Sequence, residues 1–213
     1  MGIRERKERE RNVRKEAIIQ AAEKLFFTKG MNNSTMDDVA RESELSKGTL
    51  YLYFRNKDEL NYAICMKGFE ILARKLKRAI HKNQTGADNL LSLARAYVRF
   101  SKAYNNYFKI IILFESSKTE KIVEEMKNRI LSPGFPLMLI VSVIEQGKKD
   151  GTIRKDIGSA ELAIILWSQM TGILQFMLYK PEIMKILGFK SDVMLLDHFR
   201  TIQDGIIRKI KLL

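Results

Sequence analysis

Apolar residues recur at intervals of three and four along most of the 213-residue chain, which is the spacing of one face of an α-helix. The first such pattern includes Ile18 and Leu25, and Gly30 follows it as a stop signal. The longest pattern begins after Asn56 and predicts one helix over residues 57–80. Six further helices are predicted at 87–105, 107–117, 119–131, 136–149, 159–179 and 192–210.

The placement of the prolines supports an all-helical fold. The chain has three prolines, Pro133, Pro136 and Pro181, so none can interrupt a helix in the first 132 residues. Residues 110–114 are five consecutive apolar residues, which a buried strand would also explain. Because no second strand is available to pair with them, we predict an all-α fold without internal repeats or a flexible linker.

Residues 34–57 predict two short helices, each with its own N-cap. Two capping boxes fit the first helix: Thr35 with Asp38, or Ser34 with Asp37 in the other register. Ser46 is the cap of the second helix. Two helices joined by a turn of about three or four residues are typical of the helix-turn-helix, whose second helix enters the major groove of DNA.

The second of these helices has an unusual outward face. Leu50 and Phe54 share its core-facing side, so Gly48 and Leu52 lie at the centre of the opposite side. Glycine costs about 1 kcal/mol inside a helix, so it is expected where the backbone must approach another molecule. Tyrosine hydroxyls can donate to phosphates, lysine and threonine can reach base edges, and leucine can contact a thymine methyl. The candidate DNA contacts are therefore Lys47, Gly48, Thr49, Tyr51, Leu52 and Tyr53.

The helix that follows offers a phosphate site at its N-terminus. Asn56 is its cap, and Asp58 and Glu59 favour the helix dipole in the first turn. Lys57 stands beside free backbone N–H groups, and a lysine at a helix N-terminus can bind a phosphate. The alternative is that the residues of this segment only cap and solubilise three short helices.

The charge of the chain is unevenly distributed. There are 38 Lys and Arg against 25 Asp and Glu, a net charge of +13, which suggests a nucleic-acid or membrane partner. Residues 1–60 hold 13 basic against 11 acidic residues, however, while residues 61–213 hold 25 against 14. The predicted DNA-reading segment is thus nearly neutral. The DNA hypothesis therefore depends on individual cations and tyrosines at helix ends and not on net charge.

Little in the sequence points to catalysis or metal binding. There is no GxSxG, GxGxxG, P-loop or HExxH motif, so we expect no catalytic residues and no cofactor. Cys65 is the only cysteine, which excludes an intramolecular disulfide, and with His81 and His198 it argues against a metal site. We expect a protein that is not an enzyme.

Residues 162–179 contain no charge over 18 residues, the lower limit for a membrane-spanning helix. Glu161, Ser168 and Gln175 nevertheless repeat every seven residues and form a thin polar stripe, with Gly172 between them. A membrane span needs apolar surface all round, whereas a helix between its own core and a partner subunit needs two apolar faces. We therefore expect an interface helix and no membrane partner. No apolar segment occurs at the charged N-terminus, so the cytoplasm is the expected compartment.

The strongest motif spans residues 46–60, reads SKGTLYLYFRNKDEL, and resembles the signature of the TetR family of bacterial transcriptional regulators. The upstream residues that also match are Ala22, Leu25, Phe26, Gly30, Thr35, Val39 and Ala40. The resemblance implies a three-helix DNA-binding domain at 1–56 and a larger helical domain at 57–213 that binds an effector and dimerises. It implies base contacts by Lys47, Gly48 and Thr49, and phosphate contacts by Thr35, Tyr51, Tyr53 and Lys57.

Two features of the N-terminal part leave questions to the structure. Glu44 occupies the turn position where the family usually has glycine, and a left-handed conformation there would cost on the order of 1 kcal/mol. The charged arm at 1–11 is expected to be a solvated helix end, with a minor-groove contact as the alternative.

The resemblance also implies that the segments 159–179 and 192–210 pair with a second copy in a four-helix bundle, which would require a palindromic operator. Effector contacts are expected from apolar and aromatic residues, namely Phe69, Tyr97, Phe100, Tyr104, Phe108, Met138, Trp167 and Met170. The expected function is a ligand-responsive regulator, a repressor that a small, largely apolar effector releases from double-stranded DNA. The alternative is a helical small-ligand-binding or adaptor protein without operator binding.

Overall fold

A computed structural model describes residues 2–114 and 120–206, and within these ranges every regular element is an α-helix. The helices are α1 Ile3–Lys29, α2 Met36–Glu42, α3 Lys47–Tyr51, α4 Lys57–Ala79, α5 Gly86–Ala103, α6 Asn105–Leu113, α7 Glu120–Ile130, α8 Pro136–Asp150, α9 Ser159–Tyr179, α10 Pro181–Ile186 and α11 Ser191–Ile206. The predicted all-α class is confirmed, and the apolar run at 110–114 lies mainly in α6.

The predicted and observed helices differ at a few places. α10 is not among the predicted helices; Pro181 stands at its first position, which proline tolerates. Within the charged arm at 1–11, residues 3–11 belong to α1 and are exposed. The predicted helix ends at 115–117 and 207–210, and the predicted start at 119, lie outside the described residues.

The chain divides into two compact units, and α4 runs through both. The first unit comprises Met1–Gly68 and Lys109–Glu124, and the second comprises Phe69–Phe108 and Glu125–Leu213. The predicted boundary after residue 56 therefore falls inside the first unit. The start of α4 belongs there because Lys67 donates to Glu16 at 2.7 Å and to Glu23 at 3.0 Å, both on α1.

The core of the first unit forms where α1 meets the short helices that follow it. Ile18 and Ala22 of α1, Leu50 of α3 and Leu60 of α4 are all fully buried. α1 ends at Gly30, whose φ of +84° lies in the left-handed region that favours glycine. The predicted stop signal is confirmed, and the short turn after it leads directly into α2.

In the second unit, α5 and α8 touch backbone to backbone. Gly86 opens α5 and lies so close to Gly147 of α8 that a Cβ on Gly86 would come within 2.1 Å of the Gly147 nitrogen. Asp150 of α8 accepts a hydrogen bond from the Gly86 N–H at 2.7 Å. Although burial acts to raise the pKa of Asp150, its hydrogen bonds with Thr152 and Gly86 hold that pKa below the usual value.

A buried amide strengthens the same junction. Asn89 of α5 is fully buried, accepts from the His81 N–H at 2.9 Å and donates to the His81 carbonyl at 3.0 Å. It also donates to Gln146 of α8 at 3.2 Å. All the polar atoms of this side chain are therefore used, and the segment after α4 is fixed to both α5 and α8.

Candidate nucleic-acid interface

The start of α2 is fixed by a reciprocal capping box. The Thr35 hydroxyl accepts from the Asp38 N–H at 3.1 Å, and the Asp38 carboxylate accepts from the Thr35 N–H at 3.0 Å. The hydrogen bonds from Thr35 hold the pKa of Asp38 below its usual value. Ser34 is buried and donates to the Gly30 carbonyl at 2.9 Å, so the register with Ser34 as cap is wrong.

α3 is shorter than predicted. Ser46 caps it as expected, accepting from the Thr49 N–H at 3.2 Å, but the helix ends at Tyr51 after five residues. The N–H groups of Tyr53 and Phe54 both donate to the Leu50 carbonyl, which turns the chain out of the helix. Leu52 and Tyr53 therefore belong to the turn after α3, which corrects the predicted extent of the second helix.

The outward surface of α3 and of this turn is open and includes large apolar side chains. Leu52 is 79% exposed and Tyr51 is 48% exposed, whereas Leu50 and Phe54 are buried as predicted. A Cβ on Gly48 would meet nothing within 4 Å, and its φ lies outside the left-handed region. The fold of the chain thus gives no reason for glycine at this position.

The two candidate lysines already have partners. Lys47 at the start of α3 pairs with Asp37 of α2 at 2.5 Å, and both side chains are exposed. Lys57 at the start of α4 donates to the Met31 carbonyl at 3.1 Å, which leaves its ammonium group two further N–H bonds. Asn56 accepts from the Glu59 N–H at 2.9 Å and caps α4 as predicted.

Glu44 adopts the strained conformation that the sequence suggested. Its φ is +54°, and it is the only non-glycine residue with a positive φ in the part of the chain that the structure describes. The turn requires this geometry because the Leu45 N–H bonds back to the Ala40 carbonyl at 2.9 Å. Glycine is the residue best suited to such a position.

Replacing Glu44 by glycine is expected to raise the free energy of unfolding by about 0.5 kcal/mol. The substitution relieves about 1–2 kcal/mol of left-handed strain in the folded state. Part of this gain is lost because glycine also increases the conformational entropy of the unfolded chain. Urea unfolding followed by circular dichroism measures the change. Glu44→Ala removes the carboxylate but keeps the strain, so it is expected to give no gain. An equal gain in both variants would attribute the effect to charge.

The second unit contains an apolar cavity of about 50 Å³ between five helices. Its described lining residues are Leu76 of α4, Leu90, Leu91, Leu93, Ala94 and Tyr97 of α5, Ile140 of α8, Leu166, Trp167 and Met170 of α9, and Phe199 and Ile202 of α11. None of these carries a charge. The Tyr97 hydroxyl bonds to the Thr171 hydroxyl at 3.0 Å, and burial raises the pKa of Tyr97 to about 12, so it stays neutral.

Of the predicted effector contacts, only Tyr97, Trp167 and Met170 are among these lining residues. Phe100 and Phe108 are fully buried, and both rings lie against the ring of Tyr97. Of the remaining candidates, Phe69 packs on Phe135 and its ring centroid lies 6.5 Å from that of Trp167, Tyr104 stacks on Phe100, and Met138 is half-buried in α8. The leucines of α5 that line the cavity could not be predicted, because nothing in the sequence distinguishes a cavity-lining leucine from a core leucine.

α9 has apolar residues on two sides. Leu162, Leu166 and Met170 are buried, while Ile164 and Ile165 are exposed. The helix has the length and composition of a membrane span, a property that core helices of soluble proteins share, and 28% of its apolar window is buried. In the described ranges, no three His, Cys, Asp or Glu side chains are grouped to hold a metal ion.

The two capped helices, their turn and the N-terminus of α4 define a helix-turn-helix protein. Residues 18–64 match the family model described as bacterial regulatory proteins, tetR family. The HTH-type transcriptional regulator YhgD of Bacillus subtilis is 30% identical over 144 residues, which cover 66% of this chain and 72% of YhgD. The chain therefore belongs to the TetR family of transcriptional regulators. Several other relatives align over 30 to 35% of their own length.

Solved structures share the fold over most of the chain. The fatty acid degradation regulator FadR from Bacillus halodurans superposes with a TM-score of 0.67 at 16% identity, covering 90% of this chain and 95% of FadR. A protein from Saccharomonospora viridis, solved in complex with choline, gives a TM-score of 0.69 at 20% identity and covers 92% of this chain and 98% of its own. At these identities the likeness shows the fold alone.

Proposed function

We propose that this regulator is a repressor that binds a palindromic operator as a homodimer and leaves it when a small apolar effector occupies the cavity of the second unit. The open outward surface of α3 carries the proposal for DNA. Gly48 has no neighbour that forbids a side chain, and Leu52 stays exposed although it is apolar. Both observations are expected of a surface that another molecule covers.

Each candidate DNA contact has a role that suits its position. Lys47, Gly48 and Thr49 at the start of α3 are proposed to face base edges, and Leu52 a thymine methyl. Lys47 would then exchange the Asp37 carboxylate for a base acceptor. Phosphate contacts are proposed for Thr35, Tyr51, Tyr53 and Lys57.

The dimer is proposed to form through the exposed apolar sides of α9 and α11. Ile164 and Ile165 of α9, with Val193 and Leu196 of α11, are exposed in the single chain. A two-fold axis through such a surface would present two copies of α3 to successive major grooves. Sedimentation that showed only monomer at micromolar concentration would contradict this part of the proposal.

The effector is proposed to act through α4. This helix begins with Lys57 and contributes Leu76 to the cavity lining, so it is one continuous element from a proposed phosphate contact to the effector site. Allosteric coupling of about 1–3 kcal/mol changes affinity roughly 5- to 150-fold, which suffices for release.

A mobility-shift assay on the DNA upstream of the gene for this protein tests operator binding. Lys57→Ala is expected to weaken binding to all sequences alike and to lower the salt slope by about one, whereas Lys47→Ala is expected to change base preference. If no DNA is bound above non-specific affinity, the protein is a helical ligand-binding or adaptor protein instead.

The lining of the cavity predicts a preference for uncharged ligands. A charge buried there would lose its hydration without gaining a partner from the described lining, at a cost of several kcal/mol. Octan-1-ol is therefore expected to bind at least about 30-fold more tightly than octanoate or octyltrimethylammonium. Trp167 is the only tryptophan and lines the cavity, so its fluorescence reports occupancy.

A pair of variants of α5 provides the control for this measurement. Ala94→Leu places a larger side chain in the cavity and is expected to abolish the octan-1-ol signal. Ala103→Leu makes the same change at an exposed position of α5 and is expected to leave it intact. Equal affinity for octan-1-ol and octanoate would contradict the preference for uncharged ligands and would show that a cationic group of the protein pairs with the carboxylate.

A further inference from the structure

We propose that effector occupancy weakens self-association, because α9 and α11 form both a wall of the cavity and the surface that meets a second copy. This inference rests on the proposed function and assigns the regulation of the same site. It concerns only the second unit, which contains all the residues involved.

The two helices present one surface inward and the other outward. Trp167 of α9 and Phe199 of α11 line the cavity. Two residues before Trp167, Ile165 is exposed, and three residues before Phe199, Leu196 is exposed. A helix moves as a rigid element over such short distances, so a displacement of its inner residues also displaces its outer ones.

The cavity is too small to receive an effector without a change in its walls. Its volume of about 50 Å³ is roughly a third of the apolar cavity of about 150 Å³ that holds a benzene molecule. Interiors are close-packed, so a ligand with more atoms than benzene can be enclosed here only if side chains and helices move apart. The effect of the ligand on the protein depends on which wall moves.

The wall formed by α5 and α8 is the more rigid one. Gly86 and Gly147 touch there backbone to backbone, and Asn89 and Gln146 are hydrogen-bonded across the junction. α11 is attached by weaker contacts. Its polar contacts include a bond at 3.0 Å from the Arg154 guanidinium to the Gly205 carbonyl and an exposed ion pair at 3.6 Å between Lys102 and Asp192.

An effector therefore displaces α11 toward the outside. Val193 and Leu196 are carried along, and the surface that two copies bury together loses its fit. Association of these helices with their counterparts becomes weaker when the cavity is full. Since a palindromic operator needs two correctly spaced recognition helices, this loss contributes directly to release.

A second copy fits this surface better than a lipid bilayer. Between its exposed isoleucines and Phe176, α9 exposes Ser168, Gln169 and Gln175, and α11 exposes Arg200 and Gln203. Protein interfaces accommodate such polar groups at their rims, whereas acyl chains offer them no hydrogen bonds.

Sedimentation equilibrium of the full chain, with and without octan-1-ol, tests the inference. Octan-1-ol is added at a concentration that saturates the fluorescence change of Trp167. The dimer dissociation constant is expected to rise at least tenfold, within the usual range of allosteric coupling. By reciprocity, octan-1-ol binds the monomer more tightly than the dimer by the same factor. A saturated signal with an unchanged dimer constant overturns the inference.

A variant tests the same linkage without a ligand. Ala94→Leu enlarges a cavity-lining side chain on α5, remote in sequence from both outer surfaces, and is expected to weaken the dimer as octan-1-ol does. Ala94→Val is the smaller change if the leucine variant does not fold, and Ala103→Leu is the matched control. If octan-1-ol leaves the fluorescence unchanged, the Ala94 variants decide alone, and an unaltered dimer constant in them overturns the inference.

The proposed function and this inference fail in different ways. A chain that is monomeric without ligand, or that binds no operator, contradicts the proposed function. A dimer that binds its operator, but whose dissociation constant responds neither to octan-1-ol nor to Ala94→Leu, contradicts only the linkage.

Discussion

Alanine at position 86 is expected to destabilise the protein by on the order of 3 kcal/mol or more, the largest effect on stability among the changes considered. The new Cβ would lie 2.1 Å from the Gly147 nitrogen and 2.2 Å from its Cα. Backbone atoms cannot rotate away as a side chain can, so α5 and α8 must separate. Such a separation also weakens the hydrogen bond from the Gly86 N–H to Asp150.

Urea unfolding of the full chain, followed by circular dichroism, measures this loss. Gly134→Ala is the matched control, because a Cβ at Gly134 would meet nothing within 4 Å. It is expected to change the free energy of unfolding by less than about 0.5 kcal/mol. If Gly86→Ala proved as stable as this control, the close approach of α5 and α8 would be disproved.

Leucine at position 48 is expected to reduce operator affinity at least about a hundredfold while leaving stability unchanged or slightly raised. Leucine favours a helix over glycine by roughly 0.5–1 kcal/mol, and a Cβ at Gly48 meets nothing in the protein. The added side chain would instead hold α3 away from the floor of the major groove. A loss of operator affinity without a loss of stability would show that position 48 serves DNA binding and not the fold.

Fluorescence anisotropy with labelled operator measures the affinity, and urea unfolding measures the stability. Gln20→Leu introduces the same side chain at an exposed position of α1 and is expected to leave operator affinity unchanged. Retained affinity in Gly48→Leu would mean that α3 does not enter the groove as proposed.

The local features of the first unit could be predicted because they depend on near neighbours in the chain. The N-caps Ser46 and Asn56 and the stop at Gly30 each involve atoms within four residues, and all three are confirmed. The choice between Thr35 and Ser34 could not be made in this way. It was settled when Ser34 was found buried against the Gly30 carbonyl.

The cavity could not be predicted, because it forms where apolar side chains from several helices leave space unfilled between them. Phe108 and Trp167 are both aromatic residues in apolar helices, yet one is fully buried core and the other lines the cavity. Pro181 shows a different limit, because the same residue type ends one helix and starts another. The sequence does not reveal that a glycine such as Gly86 lies close to the backbone of another helix.

The contact between α5 and α8 has an asymmetric consequence for how this sequence can diverge. A side chain at Gly147 would meet the Ile153 side chain at 2.4 Å, so a shorter residue at 153 can act as a second-site suppressor. The three atoms that a Cβ at Gly86 would approach most closely are all backbone atoms, which every amino acid possesses. As long as α5 and α8 cross at this point, no second substitution can make room for a side chain at position 86. Positions 147 and 153, in contrast, can change together.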